Sequence, residues 1–442
     1  MRMLADYIAY NARRYPQQVA IVCGQEQCTW QQLAAAISRT APLPDSQTPR
    51  LPDSQPIVCL RAACSIDFIV TYFALHLSGC VAVPLDKNLD DGQFRRFSDE
   101  LRSQTVPPGS ADILYTTGTT GQPKGVVISH QAILADAENL IEGHGYSHQL
   151  AFVINGPLNH IGSLSKLYPA IMVGATVILV DGLKDINRFL ESFNYPAAKM
   201  ATFLVPAGIR ILLHFSADRL AALADRLDFI ETGAAAIPQS DMQMLCRLLP
   251  HTRLYNTYAS TETGIICTYN FNDGRCIAGC VGRPMKHSQV TITPDGTVAC
   301  MGPTLMTGYV GSTSQTPKLP DAQLTSDIGR IDDEGMLHLL GRNDDIINVG
   351  GLKVAPTEVE DAALSFPDVR DCVCLPVPHP VTGQALKLLV VMADGRQLDR
   401  KALATFLKSR LESHKVPLLY EQTEKIERTF NGKINRKYYK SQ

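Results

Sequence analysis

Between Ile57 and Val180 the chain alternates short apolar runs with helix-patterned segments, and few architectures accept that alternation. The runs are IVCL, VAVPL, ADILYTT, GVVIS, AFVIN and TVILV, and the helical patterns fall around 66–79, 131–143 and 161–172. Continuous apolar strands have no polar face to offer water, so both faces need covering. The pattern predicts an α/β fold, with mainly parallel sheets wrapped by helices. With 442 residues, 45% of them hydrophobic, the chain can bury a large core and is not disordered.

The flanks are consistent with this. The opening MRMLADYIAYNARRYP places Leu4, Ile8 and Ala12 on one stripe, as an amphipathic helix does, and lacks the unbroken apolar centre of a secretion signal. A strand-like VAIVC follows, then TWQQLAAAI, with Thr29 placed to cap a helix. Residues 41–56 contain LPDSQ twice among five prolines and read as an exposed linker. The most apolar stretch, 66–83, is interrupted by Asp67 and His76, which argues against a membrane span; a cytoplasmic protein is expected.

Beyond Thr263 the chain breaks into short strands punctuated by glycine and proline up to about Leu340, a β-rich subdomain. Then come GRNDDIINVGG and a compact tail of βαβ character. Charge and glycine crowd between strand signals at Arg342–Asp345, so a core of 1–341 and a small α+β domain of 342–442 are expected.

A net charge of -2 gives no basic face for nucleic acid. The closest of the twelve cysteines, Cys276 with Cys280 and Cys372 with Cys374, have no histidine partners at zinc spacing and read as reduced thiols.

The strongest local signal is YTTGTTGQPKG at 115–125, a strand entering a loop of glycine and small hydroxyl residues with one lysine. Glycine lets the backbone approach phosphate oxygens, and hydroxyls and N–H groups supply donors. It is not a P-loop, because Lys124 is followed by Gly125 and a strand rather than by Ser or Thr and a helix.

This segment resembles the phosphate loop of the adenylate-forming superfamily: acyl- and aryl-CoA ligases, luciferases and the adenylation domains of peptide synthetases. Further segments resemble that family's motifs in order: NTYASTE at 256–262, TSDIGRID at 325–332, GRNDDIINVGGLKV at 341–354 and NGKINRK at 431–437. The closest likeness is to acyl- and aryl-CoA ligases.

The resemblance implies roles. Thr116, Thr117, Gly118, Thr119, Thr120, Gly121 and Lys124 would hold the phosphates of ATP, and Glu262, beside Thr261, would hold Mg²⁺ against them. Gly233, Ala234 and Ala235 would form a shelf for adenine, with Asn256, Thr257 and Tyr258 beside the nucleotide. Asp327 would accept both ribose hydroxyls, helped by Arg342. Lys433 would stabilise charge on the α-phosphoryl group during adenylation. The family rotates its mobile C-terminal domain about a hinge, here Asp344, which would exchange Lys433 for a loop whose Gly350 and Gly351 line a path for pantetheine.

PLNHIGSL at 157–164 resembles the segment that brings a histidine near the carboxylate, which makes His160 a candidate. Phe203, Val205, Ile209 and Ala235 would wall the acid pocket. No aspartate of the kind that holds an α-amino group stands in this stretch, which favours a simple aliphatic or aromatic acid. The implied reaction turns a small carboxylic acid and ATP into acyl-AMP and pyrophosphate, then passes the acyl group to coenzyme A.

Three departures from the family stand out. The stretch from about 86 to 111 is shortened, Ala259 replaces a glycine, and the shelf is all alanine after Gly233. Two alternatives stay open: transfer to the phosphopantetheine of an acyl carrier protein, and a nucleotide-binding regulatory protein without catalysis. Retention of Glu262, Asp327, Arg342 and Lys433 speaks against the second.

Overall fold

The computed structural model describes residues 3–41, 55–116, 123–311, 322–428 and 434–440. Six strands, Val19–Cys23, Thr176–Leu179, Leu150–Ile154, Lys199–Leu204, Leu227–Gly233 and Arg253–Ser260, lie side by side in that spatial order, all parallel. The sheet continues antiparallel through Gly264–Asn270, Cys280–Pro284, Leu337–Arg342, Gln323–Ile331, Thr297–Met301 and Gln289–Ile292, the β-rich part of the chain. A second sheet takes Ile57–Arg61, Val81–Leu85 and Ser110–Thr116 in parallel, then Lys124–Ser129 and Gly308–Tyr309 antiparallel. The apolar runs of 57–180 are thus shared between two sheets.

The helix Leu4–Arg14 buries Leu4 and Ile8 as the stripe predicts, and Thr29 caps Trp30–Thr40. The Thr29 hydroxyl accepts from the Gln32 N–H at 3.2 Å, and the Gln32 side chain accepts from the Thr29 N–H at 2.8 Å, a reciprocal box. These helices, with Ile66–Leu77, His130–His144 and Leu167–Val173, cover one large core containing Trp30, Tyr72, Phe73, Phe152 and Tyr168. A second core with Phe189, Phe193, Leu204, Leu212 and Met242 includes the opposite side chains of the same strands. Alternation along a strand feeds the two: Phe203 joins the first core and Leu204 the second.

The single helix expected over 161–172 is two, Ile161–Leu164 and Leu167–Val173. Ser165 and Lys166 stand between them, both buried, because Lys166 is committed to a partner deep in the core described below. The proline-rich linker at 42–54 lies outside the described residues. In the shortened stretch stands one helix, Asp91–Arg102, capped by Asp90. All twelve cysteines are free and at least partly buried.

From Ile347 onward the strands Ile347–Val349, Leu352–Val354, Val369–His379, Gly383–Met392 and Leu419–Gln422 form a sheet of their own. Its core, with Val359, Leu386, Leu388, Leu403 and Leu407, is separate from the other two. No helix among the described residues is long and apolar enough to cross a membrane.

Candidate active site

The glycine-threonine segment joins two antiparallel strands, with Thr116 paired to Lys124 across their ends. Thr117, Gly118, Thr119, Thr120 and Gly121 lie outside the described residues. The Lys124 ammonium stands 5.3 Å from the centroid of the Tyr309 ring, within cation–π range. Tyr309 is brought there because Gly308–Tyr309 pairs with Val126 and Val127. Its hydroxyl donates to Glu262 Oε1 at 3.3 Å. Burial, and then the neighbouring Glu262 carboxylate, push the Tyr309 phenol up to about 12, so it stays a donor at neutral pH. Tyr309 was not legible in the sequence, where it appears only as an aromatic in MTGYV.

Glu262 and Thr261 ride on the tight turn between Arg253–Ser260 and Gly264–Asn270. Reciprocal bonds of 3.1 Å between Ser260 and Thr263, each N–H to the other's hydroxyl, staple this turn. Gly264 ends it at φ +69°, where a Cβ would lie 2.6 Å from Asp136 Oδ1 and 2.7 Å from the Thr304 carbonyl. Asp136, buried in helix His130–His144, accepts the Ile265 N–H at 2.8 Å. Burial pushes its carboxyl up to about 8.

Tyr258, Asp327 and Arg342 converge from three strands. The Tyr258 hydroxyl donates to Asp327 Oδ2 at 2.7 Å, and Asp327 is the cross-strand partner of Arg342. Burial and the adjacent Asp327 raise the Tyr258 phenol far above its ordinary range. Asn256 and Thr257, expected beside the nucleotide, are buried with their side chains engaged by protein. Asn256 donates to the Cys280 carbonyl at 2.9 Å, and the Thr257 hydroxyl meets that of Thr268 at 3.3 Å.

The shelf begins where strand Leu227–Gly233 ends. A Cβ on Gly233 would stand 2.6 Å from the Thr257 carbonyl, so only glycine lets the two strands approach there. Ala234 adopts φ +67°, a left-handed conformation that alanine takes only under constraint, and it is exposed. Ala235 follows, half-buried.

His160 precedes helix Ile161–Leu164 and is part-buried. In that helix Gly162 faces the Phe203 ring, and an added Cβ would lie 3.5 Å from Cε1; one on Gly233 would lie 3.7 Å from Cε2. Phe203 therefore bridges the His160 segment and the shelf. Val205 stands just before helix Pro206–Phe215. Ile209 does not join this group: it is 1% exposed in the second core with Leu204 and Leu212, because its helix covers the other face of the strand.

An ion pair with no local sequence signal stands behind Phe203. Lys166 Nζ meets Glu231 Oε1 at 2.7 Å, with the two side chains 1% and 0% exposed. The same ammonium stands 5.0 Å from the Phe203 ring centroid. His144 Nδ1 lies 3.8 Å from Glu231 Oε2, and burial lowers that imidazole to about 4, so it is neutral at physiological pH.

Asp344 sits in the single turn Asn343–Asp345, 3.9 Å from Arg342. Gly350 and Gly351, at φ +61° and +90°, make the two-residue turn of a hairpin, with Val349 opposite Leu352. Lys433 lies outside the described residues. Just beyond it, Arg436 pairs with both oxygens of Glu360 at 2.8 Å and with Asp345 at 3.4 Å, which holds Arg436 beside the turn that carries Asp344.

The sequence matches the family model described as AMP-binding enzyme over residues 97–310, and that described as AMP-binding enzyme C-terminal domain over 358–433. It is 29% identical over 351 residues to a feruloyl-CoA synthase of an Amycolatopsis species, covering 74% of this chain and 70% of that one. It is also 29% identical over 347 residues to an indoleacetate–CoA ligase of Aromatoleum aromaticum, covering 75% and 67%. Among solved structures, ATP-bound MatB from Rhodopseudomonas palustris superposes with a TM-score of 0.87 at 20% identity, covering 99% of this chain and 98% of that one. The o-succinylbenzoate CoA synthetase MenE of Bacillus subtilis gives 0.82 at 22%, covering 98% and 97%. These solved structures show the same fold along nearly the whole chain, and the two family models in tandem place this protein in the family of AMP-binding enzymes.

Proposed function

We propose that the protein is an AMP-forming acid–thiol ligase that condenses a carboxylic acid with ATP, releases pyrophosphate, and transfers the acyl group from the adenylate to coenzyme A. The observation that carries this is the convergence of Tyr258, Asp327 and Arg342 on the strand that leads into Glu262, which Tyr309 ties to the strand Lys124–Ser129. Its curated relatives include enzymes named feruloyl-CoA synthase and indoleacetate–CoA ligase.

In this reading Asp327 accepts the ribose hydroxyls, and Tyr258 holds one of its oxygens so that the carboxylate keeps its orientation. Glu262 gives one oxygen to Tyr309, and the other makes no hydrogen bond to a described residue, which suits a hard cation. No three His, Cys, Asp or Glu side chains gather as a metal cage among the described residues, so magnesium at Glu262 would share its shell with phosphate oxygens. When bound, it would neutralise charge on the triphosphate. Lys124 adds positive charge from the phosphate-loop strand, and Lys433 would serve the α-phosphoryl group. The unit from about residue 342 onward would swing about Asp344 between the two half-reactions, presenting Gly350 and Gly351 to pantetheine in the second. His160 would stand beside the acid.

The test is incubation with ATP, Mg²⁺ and a panel of acids, with and without coenzyme A. Pyrophosphate with acyl-CoA supports the proposal. Acyl-adenylate that coenzyme A does not discharge would shift the acceptor to a carrier protein, and absence of pyrophosphate with every acid would refute the enzymatic function.

A further inference from the structure

We infer that the acid pocket is closed at its far end by the buried Lys166–Glu231 ion pair, and that the chain therefore selects short acids, single-ring or short aliphatic, over long-chain ones. This rests on the proposed acid site beside His160 and Phe203.

Phe203 and Glu231 are paired neighbours on parallel strands, so their side chains leave the same sheet face, and Gly233, two residues on, shares it. Gly162 and Gly233 bring the His160 helix and the shelf up to the two edges of the Phe203 ring, where an added Cβ would already lie 3.5 Å and 3.7 Å from it. The acid is placed on this side of the ring, between the His160 helix and the shelf. Against the ring lies Lys166, its ammonium 5.0 Å from the centroid and 2.7 Å from Glu231.

Behind the ring Lys166, Glu231, His144 and Tyr146 are all buried. Glu231 Oε2, His144 Nδ1 and the Tyr146 hydroxyl are shut off from solvent without a hydrogen-bond partner among the described residues. With His144 neutral, the charge that Lys166 meets at hydrogen-bond distance is that of Glu231. An apolar floor yields to a longer chain by rotamer shifts, but this one cannot. An alkyl tail passing Phe203 would have to part an ammonium from its carboxylate in a place water does not reach, leaving two uncompensated charges. The exclusion depends on the pair as a unit, so replacing both partners by apolar residues should remove it and leave the fold intact, whereas replacing one strands the other.

The experiment measures kcat/KM for pyrophosphate release with straight-chain acids from butanoic to hexadecanoic, and with benzoic acid, for the wild type and for Lys166→Met/Glu231→Leu. The wild type is expected to favour the short acids and benzoate by about tenfold or more. The double variant, shown to be folded by its melting transition and ATP-induced shift, should move the optimum to longer chains by a comparable factor. Phe203→Ala alone should not, since the pair still stands behind it. A wild type that takes hexadecanoate as well as the short acids overturns the inference, and so does a folded double variant with an unchanged length profile. If the double variant does not fold, the wild-type profile decides. Absence of pyrophosphate with every acid would be the failure of the ligase proposal itself, and would remove this one with it.

Discussion

The hydroxyl of Tyr258 donates to the carboxylate of Asp327 at 2.7 Å, and the phenol's raised pKa keeps it a donor throughout the working pH range. If Asp327 binds ribose, Tyr258 sets its orientation. A hydrogen bond to a charged group is worth about 1.5 kcal/mol, so Tyr258→Phe should raise the KM for ATP about tenfold with little change in the KM for the acid. Titration with AMP should show the same loss. Unaltered nucleotide affinity would mean that Asp327 does not depend on the tyrosine.

Glu262→Gln keeps the shape of the turn while removing the charge. It should lower kcat by about 100-fold and raise the magnesium concentration needed for half-maximal rate, with the melting temperature unchanged. Tyr309→Phe, which removes only the hydrogen bond to Glu262, should have a much smaller effect on the same titration. Equal losses in the two variants would contradict the assigned roles.

Asp136 makes stability depend on pH. Its buried carboxyl titrates at about 8, whereas an unfolded aspartate titrates near 4, so the native state alone holds the proton between those values. The resulting stabilisation is complete below about pH 4 and is lost as pH rises to about 8. Unfolding free energies from urea titrations should therefore fall between pH 5 and pH 8.5 by about 4 kcal/mol for this group, and Asp136→Asn should flatten that slope. A variant with the wild-type slope would place the pH dependence elsewhere.

The shelf offers a pair of opposite substitutions. Ala234→Gly relieves a left-handed alanine and should stabilise the protein by up to about 1 kcal/mol. Gly233→Ala drives a methyl into the Thr257 carbonyl, 2.6 Å away, and should destabilise it by about 2 kcal/mol or more. Thermal melts of the two variants should move in opposite directions.

The family, the α/β class and the positions of most strands were legible in the sequence because they rest on local information. Strand after strand announced itself by an apolar run, Thr29 by its place ahead of a helix, and the phosphate segment by a density of glycine and threonine that no common turn requires. Gly350 and Gly351 were legible as a glycine pair, and the structure makes them the two positive-φ residues of a hairpin.

Only the tertiary structure decided which side of a strand each residue serves and what its side chain meets. Ile209 and Phe203 are six positions apart, yet the sheet separates them into different cores. Asn256 and Thr257 belong to a nucleotide motif, yet their side chains are spent on protein partners. Tyr309 reaches Glu262 across 47 residues, and Lys166 finds Glu231 across 65. Periodicity and propensity act over a few neighbouring residues, whereas the partner of a buried charge is chosen by how sheets and helices stack, so the Lys166–Glu231 pair could be read only from the folded chain.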